Sequence, residues 1–89
     1  MHEEGILRDV IRKAEEVART EGAGRVTRVR LWVGARSHLT GPELQDRWAH
    51  AVQGTPLEGA PVDIEVSRDP DHAHAETVVL RSLDVDASR

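Results

Sequence analysis

The groups in this sequence best suited to hold a metal ion or move a proton are its histidines, His2, His38, His50, His72 and His74; there is no cysteine. The first placement is the most distinctive. In Met1-His2-Glu3 an amine, the amide nitrogen of residue two and an imidazole follow one another along the backbone, so that one cation can be chelated by all three. Nitrogen-rich tetragonal or square-planar sets of this kind suit Ni(II) and Cu(II). A histidine in second place is too bulky for efficient removal of the initiator, so Met1 is expected to be retained. Glu3 adds a further backbone nitrogen or a carboxylate oxygen. Amine, amide and imidazole must each give up a proton to ligate, which makes such binding strongly pH-dependent. Met1, His2 and Glu3 are therefore the principal candidate metal ligands. The plainer reading of the same residues is a frayed chain start carrying a stray histidine.

The other histidines carry weaker signals. His38 stands in the loop ahead of a helix start, either as a solvated side chain or as an additional metal ligand. His72 and His74 are two apart and share one side if the segment is extended. With Asp71 they form a candidate second metal site, although a polar loop tip explains them without one. His50 reads as a helix-surface residue. Catalytic machinery is missing: there is no cysteine nucleophile, no glycine-rich phosphate loop and no recognisable carboxylate pair. Ser37 and His38 are adjacent, but adjacency is not a triad. The sequence is not expected to encode an enzyme.

Five elements must position these groups. Ile6, Leu7, Val10, Ile11, Ala14, Val17 and Ala18 recur every three or four residues, which predicts an amphipathic helix ending at Gly22-Ala23-Gly24. From Arg25 to Val33 the period falls to two. That predicts a strand with Thr27, Val29, Leu31 and Val33 on one face and Arg28, Arg30 and Trp32 on the other. Thr40-Gly41-Pro42-Glu43 is a capping-box start, with Leu44, Trp48, Ala51 and Val52 as the helix's apolar stripe and Gly54-Thr55-Pro56 as its stop. Strands follow at Pro61–Val66 and Glu76–Val85. In the last, Leu80, Leu83 and Val85 cannot share a face without a bulge near Arg81-Ser82. The polar segment 67–75 between them is expected to be the loop of a β-hairpin, and Asp86–Arg89 to be frayed. The fold class is α+β: two helices packed on one face of a three-stranded mixed sheet, order α-β-α-β-β, with a right-handed crossover if the first two strands are parallel.

On the outer face, Arg28, Arg30 and Arg81 oppose Asp63 and Glu65, which predicts cross-strand ion pairs rather than a ligand-binding basic patch. Trp32 shares that face. A tryptophan beside arginines is typical of an interface anchor, so Trp32 is the candidate partner-interface residue unless the C-terminal tail covers it. Trp48 belongs to the core. With 89 residues, the chain is read as one domain, 1–89. Two Trp and no Phe or Tyr leave a thin core, which leaves room for support from a homodimer or another partner. The formal charge of −4, with both signs interspersed, argues against a nucleic-acid partner. No apolar run approaches a membrane span, and the acidic start lacks the features of a signal peptide, so a cytoplasmic location is expected.

Several of these residues together resemble the HypA/HybF family of hydrogenase nickel-insertion proteins. That family begins Met-His-Glu, as do Met1-His2-Glu3. Its first strand runs into a Val-Gly-x-x-Ser turn, here Val33-Gly34-Ala35-Arg36-Ser37, and its next helix opens Pro-Glu-x-Leu, here Pro42-Glu43-Leu44. A Gly-Thr, Glu-Gly-Ala and Ile-Glu series matches Gly54-Thr55, Glu58-Gly59-Ala60 and Ile64-Glu65. The resemblance implies Ni(II) carried at the amino end, with hydrogenase or other nickel-enzyme maturation proteins as partners, including a GTPase for insertion. It also implies that the loop holding His38 approaches the N-terminus. Two departures stand out. The family inserts a zinc module with two CxxC pairs between its second and third strands, where this chain has only the polar loop 67–75, so no zinc bound through cysteine is expected. Some members place a carboxylate in the loop before the second helix, and Thr40 occupies that position here. The expected function is a nickel-binding accessory protein, or metallochaperone. The alternative is a metal-free structural or adaptor subunit of a larger enzyme complex.

Overall fold

The computed structural model describes residues 3–22 and 25–86. Helix α1 (Glu3–Thr20) forms because Leu7, Val10, Ile11, Ala14 and Ala18 line one face, and all five are buried. The amides of Glu21 and Gly22 donate to the carbonyls of Val17 and Arg19, satisfying acceptors that the helix end would otherwise orphan. Gly22 then takes φ +69°, a left-handed value that favours glycine.

Helix α2 (Gly41–Ala51) starts where the capping box places it. The Thr40 hydroxyl accepts from the Glu43 amide at 3.2 Å, and the Glu43 carboxylate accepts from the Thr40 amide at 3.1 Å. Leu44, Trp48 and Val52 are buried. Ala51, expected in the same stripe, is exposed instead. Gln45 ties the helix to the sheet by donating to the Val62 carbonyl at 2.8 Å.

The strands are β1 (Arg25–Val33), β2 (Val62–Val66) and β3 (Val78–Asp86). They form one mixed sheet in the order β2-β1-β3, with β1 parallel to β2 and antiparallel to β3. A core cluster draws on all five elements, and the two helices cover one face of the sheet, as expected. The expected β2–β3 hairpin does not form. The long, apolar β1 lies between the two, so its backbone groups are paired on both sides; at an edge, half would lack a partner. The 67–77 segment therefore crosses the end of β1. Ser67 donates to the Val33 carbonyl, Gly34 to Thr77 and Arg36 to Ala75, at 2.9, 2.9 and 2.7 Å. The crossing is close: a Cβ on Gly34 would stand in the backbone carbonyls of His74 and Ala75.

Two bulges set the faces. Arg30 pairs with Ser82 and Leu31 with Leu80, leaving Arg81 as the extra residue, at the place the broken alternation indicated. The other was not expected. Val26 pairs with Val85 and Arg28 with Asp84, so Thr27 is the surplus residue of β1. It turns outward, and Val26, 1% exposed, takes the core position assigned to Thr27.

Candidate metal site at the amino end of the first helix

Met1 and His2 lie outside the described residues, and Glu3 is the first residue of α1. Ile6 shares an open groove with Arg36 and His38, from the loop between β1 and α2, and with Glu76 and Thr77, from the segment entering β3. His38 is exposed. Its loop is anchored on both sides: Ser37 donates to the Gly34 carbonyl at 3.1 Å, and Leu39, 5% exposed, donates to the Ser37 hydroxyl at 3.2 Å. Arg36 and Glu76 form an ion pair on the groove wall. Among the described residues, no three His, Asp or Glu side chains converge to hold a metal ion. The Thr40 hydroxyl is committed to capping α2.

His72 and His74 do come together, with ring centroids 5.7 Å apart. The His74 amide donates to His72 Nδ1 at 2.9 Å. With that lone pair used, the neutral ring carries its proton on Nε2. A metal at His72 would have to break this hydrogen bond. The His72 ring lies 4.6 Å from the Trp32 ring, tilted by 46°. Trp32 faces outward as expected but is 8% exposed, with His72 over it; a partner contact at Trp32 has to displace or include His72. His50 is exposed on α2, its Nδ1 3.1 Å from the Asp46 carbonyl.

The charges of the outer face are paired within the sheet. Arg28 meets Asp63 at 2.9 Å, Arg30 forks onto Asp84 at 3.1 and 3.3 Å, and Arg81 reaches Glu65 at 3.4 Å. The hydrogen bond from Arg30 and its charge hold the Asp84 carboxyl below its usual range.

Ile6, Arg36 and His38 of the groove beside α1 lie within the stretch that matches a known family. Residues 1–70 match the family described as hydrogenase/urease nickel incorporation, metallochaperone, hypA. The chain belongs to the HypA family. The hydrogenase maturation factor HypA of Methanopyrus kandleri is 38% identical over 68 residues, 76% of this chain and 48% of that protein. The protein of the same name from Deinococcus radiodurans is 34% identical over 87 residues, 93% of this chain and 72% of its own length. The solution structure of the Ni metallochaperone HypA from Helicobacter pylori superposes with a TM-score of 0.78 at 17% identity, covering 99% of this chain and 100% of that one, a likeness of fold. This chain spans about half the length of the Methanopyrus kandleri and Chlorobium limicola HypA proteins it matches. These 89 residues contain no cysteine, so they hold no cysteine-bound zinc site.

Reading the sequence singled out His38 but passed over Arg36 and Glu76. They lie 40 residues apart, and nothing local marks either one. Only the crossing of 67–77 over Gly34 brings them to one wall.

Proposed function

We propose that this HypA-family chain is a nickel-binding accessory protein that carries Ni(II) at its amino end and passes it to the maturation of a nickel enzyme such as a [NiFe]-hydrogenase. Met1, His2 and Glu3 are the proposed ligands, with His38 as a further donor. One observation supports this reading above the others: the family match takes in Met1-His2-Glu3, and the helix that begins at Glu3 has His38 in the groove beside its first turns. Delivery needs reversible binding, and a set of few ligands beside an open groove suits release as well as capture. The partners in this reading are maturation proteins and the client enzyme, and the protein itself performs no catalysis. No described helix is long and apolar enough to cross a membrane, in keeping with work in the cytoplasm.

The test is Ni(II) titration of untagged protein against His2→Ala. Micromolar binding by the parent, lost in the variant, is the expected result; equal behaviour of the two proteins contradicts it. That second outcome would favour an adaptor role in a larger enzyme complex. The feature on that side is the absence of any cysteine, together with a Thr40 whose hydroxyl serves the α2 cap.

A further inference from the structure

We infer that the groove between α1 and α2 is a docking site for a short acidic segment of a protein partner, which sets an apolar side chain on Leu7 and Ile11 and carboxylates on Arg8 and Arg47. Helix α1 packs on β3 and α2 on β2, the two outer strands, so the helices stand apart above β1. The groove between them has Leu7, Arg8 and Ile11 of α1 on one side and Arg47, His50 and Ala51 of α2 on the other. Residues three or four apart on a helix share a face, which is how each wall is assembled. Nothing here involves Met1-His2-Glu3, so the inference is independent of the nickel-carrier reading.

The base of this groove is apolar and its rim is cationic. Leu7 and Ile11 are 5% and 7% exposed and belong to the core cluster, so the base is rigid. Ala51 continues the apolar residues of α2 yet is exposed, and on the groove wall its methyl group adds apolar surface while leaving room above it. Arg8 and Arg47 are exposed on opposite walls. Among the described residues neither is in an ion pair, whereas Arg28, Arg30 and Arg81 of the sheet all are. The carboxylate one turn before Arg47, that of Glu43, accepts from the Thr40 amide. Asp46 also lines the α2 side, and two arginines against one aspartate leave the groove positive on a chain whose formal charge is −4.

The dimensions and charges select the occupant. Leu7 and Ile11 are about 6 Å apart along α1. An extended chain advances about 3.3 Å per residue, so the base takes one apolar side chain and its immediate neighbours. Carboxylates on either side of that residue lie near the rim, where a planar guanidinium can donate two N–H groups to each. His50 adds a polar contact. Its Nδ1 lies 3.1 Å from the Asp46 carbonyl, which only accepts, so the neutral ring keeps Nε2 as an acceptor for a peptide N–H. A nucleic acid fits less well, because its phosphate chain would have to pass Asp46 and approach a molecule of net negative charge.

The experiment follows the amide NMR signals of the full chain as an acetylated peptide of alternating leucine and glutamate is added. The same peptide with glutamine in place of glutamate is the comparison. Saturable shifts are expected in α1 and α2 around the groove, with affinity falling as salt is added. Arg8→Ala and Arg47→Ala are each expected to weaken binding about three- to fivefold, the scale of an exposed ion pair. Arg19→Ala, about 16 Å along α1 from Arg8, and Arg68→Ala, in the loop after β2, should bind as the parent does. Arg8→Glu combined with Arg47→Glu should abolish the shifts in a chain whose own spectrum remains that of the folded protein. The inference is overturned if no shifts appear, if they lie outside the groove, if the glutamine peptide binds as tightly, or if the two alanine variants bind within the spread of the controls. Shifts at the same residues on concentrating the chain alone would assign the groove to a second copy and overturn the assignment to a partner.

Discussion

Single side chains in this molecule divide into those that tie the sheet and the α2 cap together and those that line the groove beside the first turns of α1. Asp84 and Glu43 belong to the first group. The Asp84 carboxyl is held down by the hydrogen bond from Arg30, and the Glu43 carboxyl by the hydrogen bond from the Thr40 amide. Both values are lower in the folded chain than the ordinary 3.8 and 4.5, so the unfolded chain binds protons first. The stabilisation is whole above those ordinary values and is lost as pH falls through the lower folded ones. Urea unfolding is therefore expected to show stability falling on acidification below this range. Glu43→Gln should flatten the Glu43 share of that fall, because a glutamine side chain still accepts from the Thr40 amide and carries no charge to titrate. An acid slope identical in the two proteins would contradict the assignment. On the open side, His38 and Glu76 border the same groove from segments of chain far apart in sequence.

The elements owe their places to contacts at two ranges, and two glycines separate them. Gly34 lies under the 67–77 crossing, with the carbonyls of Ala75 and His74 where a Cβ would go. Gly34→Ala is expected to cost about 1–3 kcal/mol or more by urea unfolding, the scale of overpacking. Gly5, in the first turn of α1, has no heavy atom within 4 Å of the corresponding point, so Gly5→Ala should be neutral or stabilising. Equal effects from the two substitutions would show that the crossing does not bear on Gly34. The same division explains what could be read from the sequence. The α1 stripe, the Thr40–Glu43 box and the Arg81 bulge are local patterns and could be read directly. The strand order could not, because it depends on giving β1 partners on both sides, and the segment 67–75 looks like a hairpin loop until that demand is met. The Thr27 bulge is a matter of register against β3, which Thr27 alone does not reveal. Of the proposed ligands, Met1-His2-Glu3 and His38 are legible as residue types, whereas the Arg36–Glu76 pair exists only through the crossing.

As a whole, the molecule keeps the HypA fold without cysteines. In the loop after β2, backbone amides are met by nearby side chains. Asp69 donates to the Ser67 hydroxyl at 3.1 Å, Asp71 to the Asp69 carboxylate at 3.0 Å and His74 to His72 Nδ1 at 2.9 Å. These turns, the Trp32–His72 stack and the buried Ala75 close the end of the sheet. Domains folded around zinc come apart when a chelator removes it. For this chain the thermal midpoint is expected to be the same with and without a strong chelator, and a fall in the chelator would reveal a structural metal that this account does not contain. In the proposed function, cargo binding depends on an unblocked amine beside His2. The most direct measurement is Ni(II) titration of the chain with Met1 as its first residue against the same chain carrying one additional residue before Met1. The account predicts a saturable isotherm for the first and a large loss of affinity for the second, since the added residue moves the amine out of the chelate. Equal affinities in the two would contradict it.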